Sequence, residues 1–204
     1  MKLIDGLKLK GRWVEIPDCS RDDLPELFKE LGFKKGVEIG TYKGEFAEVI
    51  AKSGLELYGV DPWLSYPNYL YFSKYEQDQV VLNEQYEESK RVLKPYPNAH
   101  LIRKMSMDAL EDFEDESLDF VYIDGNHTFR YVAEDIAEWT KKVKKGGIVC
   151  GHDYFYGRPS SVVRYVVDAY VAAHAIQKLY ILGRKHSDKG ERRDPWRSWM
   201  FIRE

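Results

Sequence analysis

The chain is short of several things, and each shortage excludes something. Only two of its 204 residues are cysteine, Cys19 and Cys150, and they lie far apart. That excludes a disulfide scaffold and a zinc cluster and fits two reduced thiols in a cytoplasmic protein. No apolar run approaches the about 18 residues of a membrane-spanning helix. The start, Met1 to Lys8, interrupts its apolar residues with charges too often for a secretory signal. Positive charge is not in excess: 31 Lys and Arg stand against 34 Asp and Glu, for a net charge of −3. There is thus no general electrostatic pull toward nucleic acid or an anionic membrane. No internal repeat or low-complexity linker is visible.

What remains is a soluble globular composition, 44% hydrophobic and 32% charged, at a length that suits one domain with a sizeable core. The hydrophobic pattern predicts a short strand around Trp13–Ile16. Ser20-Arg21-Asp22-Asp23 resembles a capping box opening a helix to Leu31, with Gly32 as its stop. Strands are expected at about Gly36–Ile39, up to Asp61, at His100–Arg103, Leu118–Ile123 and Ile148–Cys150. Helices are expected after Gly44, from about Lys74 to Leu93, across Val132 to Val143, and from Val162 to His174. Leu179–Leu182 and Trp199–Ile202 have no helix between them and are expected to pair antiparallel. Strands alternating with helices imply a mostly parallel sheet covered on both faces.

The densest signal is Val37-Glu38-Ile39-Gly40-Thr41-Tyr42-Lys43-Gly44, a strand that ends in an acidic, Gly-containing turn and feeds a helix. The dinucleotide fingerprint needs a second Gly so that backbone can approach a pyrophosphate. Here that place holds Tyr42, and Glu38 adds a negative charge that would repel phosphate. Lys43-Gly44-Glu45 is not the ending of a P-loop either. The loop suits a nucleoside without phosphates, such as S-adenosylmethionine, whose cationic sulfonium would lie near Glu38. Asp61 ends the next strand, 61 − 38 = 23 positions on, close to the ~20-residue spacing of an acid on ribose hydroxyls.

These residues resemble the class I S-adenosylmethionine-dependent methyltransferases. Glu38-Ile39-Gly40-Thr41-Tyr42-Lys43-Gly44 is similar to their E/D-x-G-x-x-x-G motif, and Val60-Asp61 to their ribose-binding acid. The resemblance implies an α/β, Rossmann-like, doubly wound, seven-stranded, mostly parallel sheet with a C-terminal antiparallel hairpin. Residues 1–34 would be an N-terminal extension and helix, and 35–204 the methyltransferase domain. Pro62 and Trp63 would join Glu38, Gly40, Thr41, Tyr42, Gly44 and Asp61 around the cofactor. In this class the region after the third strand contacts adenine, which implicates Met105, Ser106 and Met107; Ser106 is equally readable as a helix N-cap.

Two further strand ends carry acid and imidazole: Ile123-Asp124-Gly125-Asn126-His127 and Cys150-Gly151-His152-Asp153-Tyr154. Their gathering at one rim would suit a divalent cation, a general base or both. The I-D-G-x-H turn and the x-H-D-Y strand end resemble the macrocin- and mycinamicin-type sugar O-methyltransferases over about residues 35–155. In that family the Asp of the D-x-x-H turn binds magnesium, the His is the base, and two adjacent carboxylates complete the metal site. Carried across, Asp124 and Asp153 would bind metal beside the cofactor, and His127 would be the base. His152 stands where a carboxylate is expected. Imidazole suits manganese, iron or zinc better than magnesium, so His152 is readable as a metal ligand, an acid/base group or a structural residue.

The aromatic segment Trp63 to Tyr75 follows Asp61 and reads as a lid over the cofactor mouth or as a helix packed by its aromatic face. The basic stretch Arg184 to Arg193, together with Arg197, reads as a solvated loop. The functional expectation is O-methylation of a small-molecule hydroxyl on a sugar or sugar-bearing metabolite. S-adenosylmethionine is the methyl donor, with magnesium or another divalent cation as a further cofactor, and neither nucleic acid nor membrane as a partner. A homo-oligomer is compatible with these readings. The competing expectation is a non-catalytic nucleoside-binding or interaction module on the same fold.

Overall fold

The structure is a computed structural model and describes residues 2–65, 78–155, 162–183 and 196–204. The strands are β1 Trp13–Ile16, β2 Lys35–Ile39, β3 Glu56–Val60, β4 Ala99–Ile102, β5 Leu118–Ile123, β6 Val143–Gly151, β7 Leu179–Leu182 and β8 Ser198–Ile202. The helices are α1 Leu3–Gly6, α2 Leu24–Glu30, α3 Glu45–Lys52, α4 Gln79–Leu93, α5 Ser106–Ala109, α6 Phe129–Lys142 and α7 Val163–Ala173.

Among the described residues, eight strands join one sheet in the order β1-β7-β8-β6-β5-β2-β3-β4. Only β8 runs against its neighbours, being antiparallel to both β6 and β7. The α/β architecture, the parallel majority and the antiparallel C-terminal pair are as the sequence implies. The strand count is corrected from seven to eight. Trp13–Ile16 is not a detached piece of the extension but pairs in parallel with Leu179–Leu182. Its pattern is exposed-buried-exposed-buried, so Val14 and Ile16 enter the core. The strand was legible from its own residues, but its partner, 166 positions away, was not.

Alternation along the central strands feeds two cores. Val37, Ile39, Val121, Ile123 and Val149 pack with α6 and α7. Phe120, Tyr122, Ile148 and Cys150 face the other way, onto Leu24, Leu27 and Phe28 of α2 and Phe46 and Ile50 of α3. Every residue of β5 is buried. This explains a strand that reads as a continuous apolar run rather than an alternating one.

Local sequence accounts for most element ends. Ser20 and Asp23 form the reciprocal capping box, opening a short 3₁₀ turn, Arg21–Asp23, that leads into α2. In α3 the acids Glu45 and Glu48 lie in the first turn, where the helix dipole favours them. Helix α4 begins at Gln79, later than its periodicity suggests, because the Asp78 side chain accepts from Val80 N and caps it there. The sheet changes winding direction between β2 and β5: β2 pairs with β3 on one side and with β5 on the other. In doubly wound sheets ligands bind just beyond the carboxyl ends at such a point.

Candidate active site

A cleft of about 560 Å³ opens at that switch point. This lies within the range that holds a nucleoside with an amino-acid tail. The chain closes it by close backbone approaches. Gly40 has φ +89°, and a Cβ there would lie 2.2 Å from the carbonyl oxygen of Asp124. Gly151 does the same for the next pair of strand ends: its Cβ would meet Ile123 O at 2.4 Å. Glycine at these two positions lets the ends of β2, β5 and β6 converge.

Ten of the twelve residues expected around a cofactor lie on the cleft wall. Glu38, Gly40, Thr41 and Tyr42 come from the β2 turn, Asp61 and Pro62 from the end of β3. Met105, Ser106 and Met107 come from the start of α5, and Asp124 from the end of β5. Gly44 and Trp63 stand off the wall. Gly44 begins α3 and packs against Ser89 of α4, to whose Cα a Cβ would approach within 3.3 Å. Trp63 is buried, with its ring 4.7 Å from that of Tyr86. Its indole N–H donates to Tyr42 O at 2.8 Å, so it ties the Gly loop to α4 from beneath. The rest of the expected aromatic lid, beyond Ser65, lies outside the described residues, as does the basic loop from Arg184 to Arg193. Arg197, expected in the same solvated loop, is instead buried, with Nη1 donating to Glu15 Oε1 at 2.7 Å.

Asp61 is fixed by backbone. Oδ1 accepts from Trp63 N at 2.8 Å and Oδ2 from Tyr42 N at 3.0 Å. Each carboxylate oxygen has a second lone pair, so the cleft-facing acid can still accept from hydroxyls. Burial pushes its carboxyl above the ordinary value, against the pull of those two backbone N–H groups. Glu38 is perturbed further. Burial, reinforced by the Asp124 charge, pushes its carboxyl up to about 8. The Thr41 hydroxyl lies near without hydrogen-bond geometry, and Glu38 Oε2 has no hydrogen-bond partner among the described residues. A buried, unsatisfied acid on a cleft wall is poised for a cationic ligand.

The second group gathers at the ends of β5 and β6. His127 Nε2 lies 3.0 Å from Asp153 Oδ2 and 3.4 Å from Asp124 Oδ1. Burial works against the imidazolium, but the Asp124 hydrogen bond and the Asp153 charge win, and the His127 pKa is raised. Burial likewise raises Asp124, yet the His127 hydrogen bond and the nearby charges of His152, His127 and Arg21 hold its carboxyl below the ordinary value. Asp153 goes the other way: burial lifts its carboxyl, and His127 offsets only part. Its backbone is left-handed, φ +59°, unusual for a residue with a side chain.

His152 sits off the cleft wall, with Nδ1 3.8 Å from Asp124 Oδ2 and 3.7 Å from Asp153 Oδ1. The ligand atoms of Asp124, His152 and Asp153 lie within 4.8 Å of one another, so the donors expected for a divalent ion do meet. They do not fit magnesium. One of the three is an imidazole, and Asp124 Oδ2 is already paired with Arg21 Nη1 at 3.1 Å.

Among the wall residues that sequence reasoning missed, Asp135 and Arg21 differ in how findable they were. Asp135 falls on the inner stripe Val132, Asp135, Ile136, Trp139 of α6, where an acid at a core position is itself a signal. Burial pushes its carboxyl up to about 7. It takes a short hydrogen bond from the Ser106 hydroxyl, which in turn accepts from Trp139 Nε1 at 2.8 Å. This bridge fastens the α5 turn to α6. Arg21 carried no such signal, since it reads as a polar residue in a capped helix start.

A family model described as a methyltransferase domain matches residues 37–154. Among curated proteins, an uncharacterized protein, y4gI, of Sinorhizobium fredii is 30% identical over 124 residues. That match takes in 57% of this chain and spans only 13% of the relative's length. Among solved structures, an O-methyltransferase from Bacillus cereus in complex with S-adenosylhomocysteine superposes with a TM-score of 0.58 at 14% identity, covering 90% of this chain and 80% of that one. The O-methyltransferase TomG from Streptomyces achromogenes, involved in tomaymycin synthesis and bound to S-adenosylmethionine, gives 0.57 at 14%, over 90% and 79%. An rRNA methylase from Streptococcus thermophilus gives 0.60 at 13%, over 88% and 93%. At these identities the likeness is one of fold. The family model spans more than half of the chain and covers the β2 turn, Asp61, the Asp124–His127 turn and Asp153, and on that ground the chain belongs to the methyltransferase domain family.

Proposed function

We propose that the protein transfers the methyl group of S-adenosylmethionine to a hydroxyl of a small molecule, with a sugar or sugar-bearing metabolite as the acceptor class. When bound, S-adenosylmethionine supplies a methyl group already activated by its positive sulfur. The chain's own residues have three tasks. Asp61 accepts from the ribose hydroxyls. Glu38 faces the cationic part of the donor, which converts its uncompensated burial into binding. The start of α5, held by the Ser106–Asp135 bridge, borders the adenine.

The observation that carries the reading is His127, on the cleft wall with Nε2 bound between two carboxylates. With Nε2 protonated and donating to Asp124, with the Asp153 carboxylate close by, the neutral ring carries its lone pair on Nδ1. That nitrogen takes the acceptor proton as the oxygen attacks the methyl carbon. Asp124 and Asp153 raise its basicity and stabilise the imidazolium that forms. Alignment of acceptor and donor supplies much of the rate, and proton removal contributes about 10²–10⁴-fold. His152 acts on this pair of acids from the side rather than on the acceptor. A chain with net charge −3 is poorly matched to a nucleic-acid acceptor.

The test has two arms. Calorimetric titration with S-adenosylhomocysteine should give one site, and absence of binding removes the cofactor reading. His127→Ala should bind S-adenosylhomocysteine normally yet lose at least about 10²-fold in turnover when labelled S-adenosylmethionine is offered with candidate metabolite pools. Full turnover in that variant removes the base assignment.

A further inference from the structure

The acids at the ends of β5 and β6 are compensated from within the chain. Asp124 Oδ2 lies 3.1 Å from Arg21 Nη1, and Oδ1 lies 3.4 Å from His127 Nε2. Asp153 Oδ2 lies 3.0 Å from His127 Nε2, and Oδ1 lies 3.7 Å from His152 Nδ1. Each of the four carboxylate oxygens therefore faces a nitrogen. Asp124, His152 and Asp153 still have the spacing of a cation site, with their ligand atoms within 4.8 Å of one another. The position where a cation would bind Asp124 is held by a guanidinium.

That guanidinium is delivered from outside the family-matched segment 37–154. Arg21 opens the 3₁₀ turn before α2. The turn is fixed by its capping box: Ser20 N donates to Asp23 Oδ2 at 2.7 Å, and Asp22 N donates to Ser20 Oγ at 3.2 Å. The side chain then lies with its guanidinium carbon 5.0 Å from the centre of the Phe46 ring, which supports it on the α3 side. A chain fixed at both ends loses little entropy on holding Asp124. Arg21 is also part of the cleft wall, and 32% of its side chain remains exposed. It reaches the reaction site without being sealed from it.

We propose that Arg21 is the resident cation of this site, taking the place of a divalent metal and closing the Asp124–His152–Asp153 donor set to one. A guanidinium keeps its charge at every accessible pH and presents several N–H donors in a fixed plane. It therefore neutralises Asp124 permanently, whereas a bound ion depends on supply. Arg21 lines the cleft, and its guanidinium has more N–H donors than the one spent on Asp124. There it can donate to the acceptor oxygen as that oxygen gives up its proton, a role that rests on the methyl-transfer reading above. The bond changes are those of the proposed reaction: the oxygen gains the methyl carbon, the carbon–sulfur bond breaks, and the proton goes to His127. Arg21 gains and loses nothing covalent.

The test uses the full chain with manganese alone, read from the electron paramagnetic resonance of the free ion at neutral pH. Wild type should show no stoichiometric binding at concentrations up to roughly millimolar, a range typical of weak oxygen-ligand sites. Arg21→Gln removes the charge while keeping a similar stem. It should gain one manganese site, with affinity raised at least tenfold. Arg21→Gln combined with Asp124→Asn should lose that site. Arg21→Lys, which keeps a positive charge, should stay closed. One tight manganese site in wild type overturns the proposal, even if every variant fails to fold. So does a folded Arg21→Gln variant, checked by its circular dichroism, that binds no more manganese than wild type. Neither cofactor nor acceptor is present in this titration. Its outcome is therefore separate from that of the S-adenosylhomocysteine and His127→Ala tests.

Discussion

Glu38→Gln isolates the energetics of the cofactor loop. In the folded chain the Glu38 carboxyl is lifted from an ordinary 4.5 to about 8 by burial, with the Asp124 charge adding to it. Full ionisation in place therefore costs roughly 5 kcal/mol more than in the unfolded chain. The folded-state value lies above the unfolded one. Stability from this group is fully present below the unfolded value and is lost as pH rises toward the folded value. At about pH 7 the folded protein still holds the proton that the unfolded chain has released, a penalty of roughly 3 kcal/mol. Glutamine has nearly the same shape and never pays that penalty. Its amide must still find partners in the same dry position, which takes back about 1–2 kcal/mol.

The expected result is a pH-dependent difference. Urea unfolding should find the two proteins alike, or the variant slightly weaker, near about pH 4.5. The variant should pull ahead by about 1–2 kcal/mol near about pH 7 and by more at about pH 8. The same variant should bind S-adenosylhomocysteine less well, because it offers no charge to the ligand's ammonium group. A stability difference that stays flat across this range would refute the reasoning, since it would mean that Glu38 is not held neutral by its surroundings.

Two other substitutions test the frame around the loop. Gly40→Ala places a Cβ 2.2 Å from Asp124 O on a backbone with φ +89°. It should cost about 1–3 kcal/mol in thermal or denaturant unfolding and abolish S-adenosylhomocysteine binding; a variant with normal stability would show that the β2 and β5 ends are not pressed together. Ser106→Ala strips Trp139 Nε1 and Asp135 Oδ1 of their shared partner. It should cost about 1–3 kcal/mol, and a loss within measurement error would mean that the bridge contributes nothing.

The fold was legible where local pattern and tertiary role coincide. Leu118–Ile123 reads as a buried strand because all its faces are covered, and Ser20–Asp23 reads as a helix start because its capping bonds are made within four residues. The pairing of Trp13–Ile16 with Leu179–Leu182 was not legible, because backbone hydrogen bonds between strands leave no trace in either segment's composition. The site divided in the same way. Glu38, Gly40, Asp61, Asp124 and His127 announce themselves, since acids, glycines and imidazoles at strand ends are rarely needed for packing. Trp63 looked like a lid residue from its neighbours. Only its indole hydrogen bond to Tyr42 O reveals a brace beneath the loop.

The sequence by itself determined the α/β alternation, the acidic Gly turn that turns away phosphate, and the acid–imidazole chemistry at two strand ends. Each is a property of consecutive residues, set by sterics at a turn or by a side chain's own charge. The tertiary structure alone decided which charges meet. Arg21 and Asp124 are 103 residues apart, yet 3.1 Å separates their nitrogen and oxygen. Coulomb energy and burial depend on distance in space, which consecutive residues do not encode. The raised Glu38 and Asp135 carboxyls, the paired Asp124 and the cation that faces it emerge only when the strands are side by side.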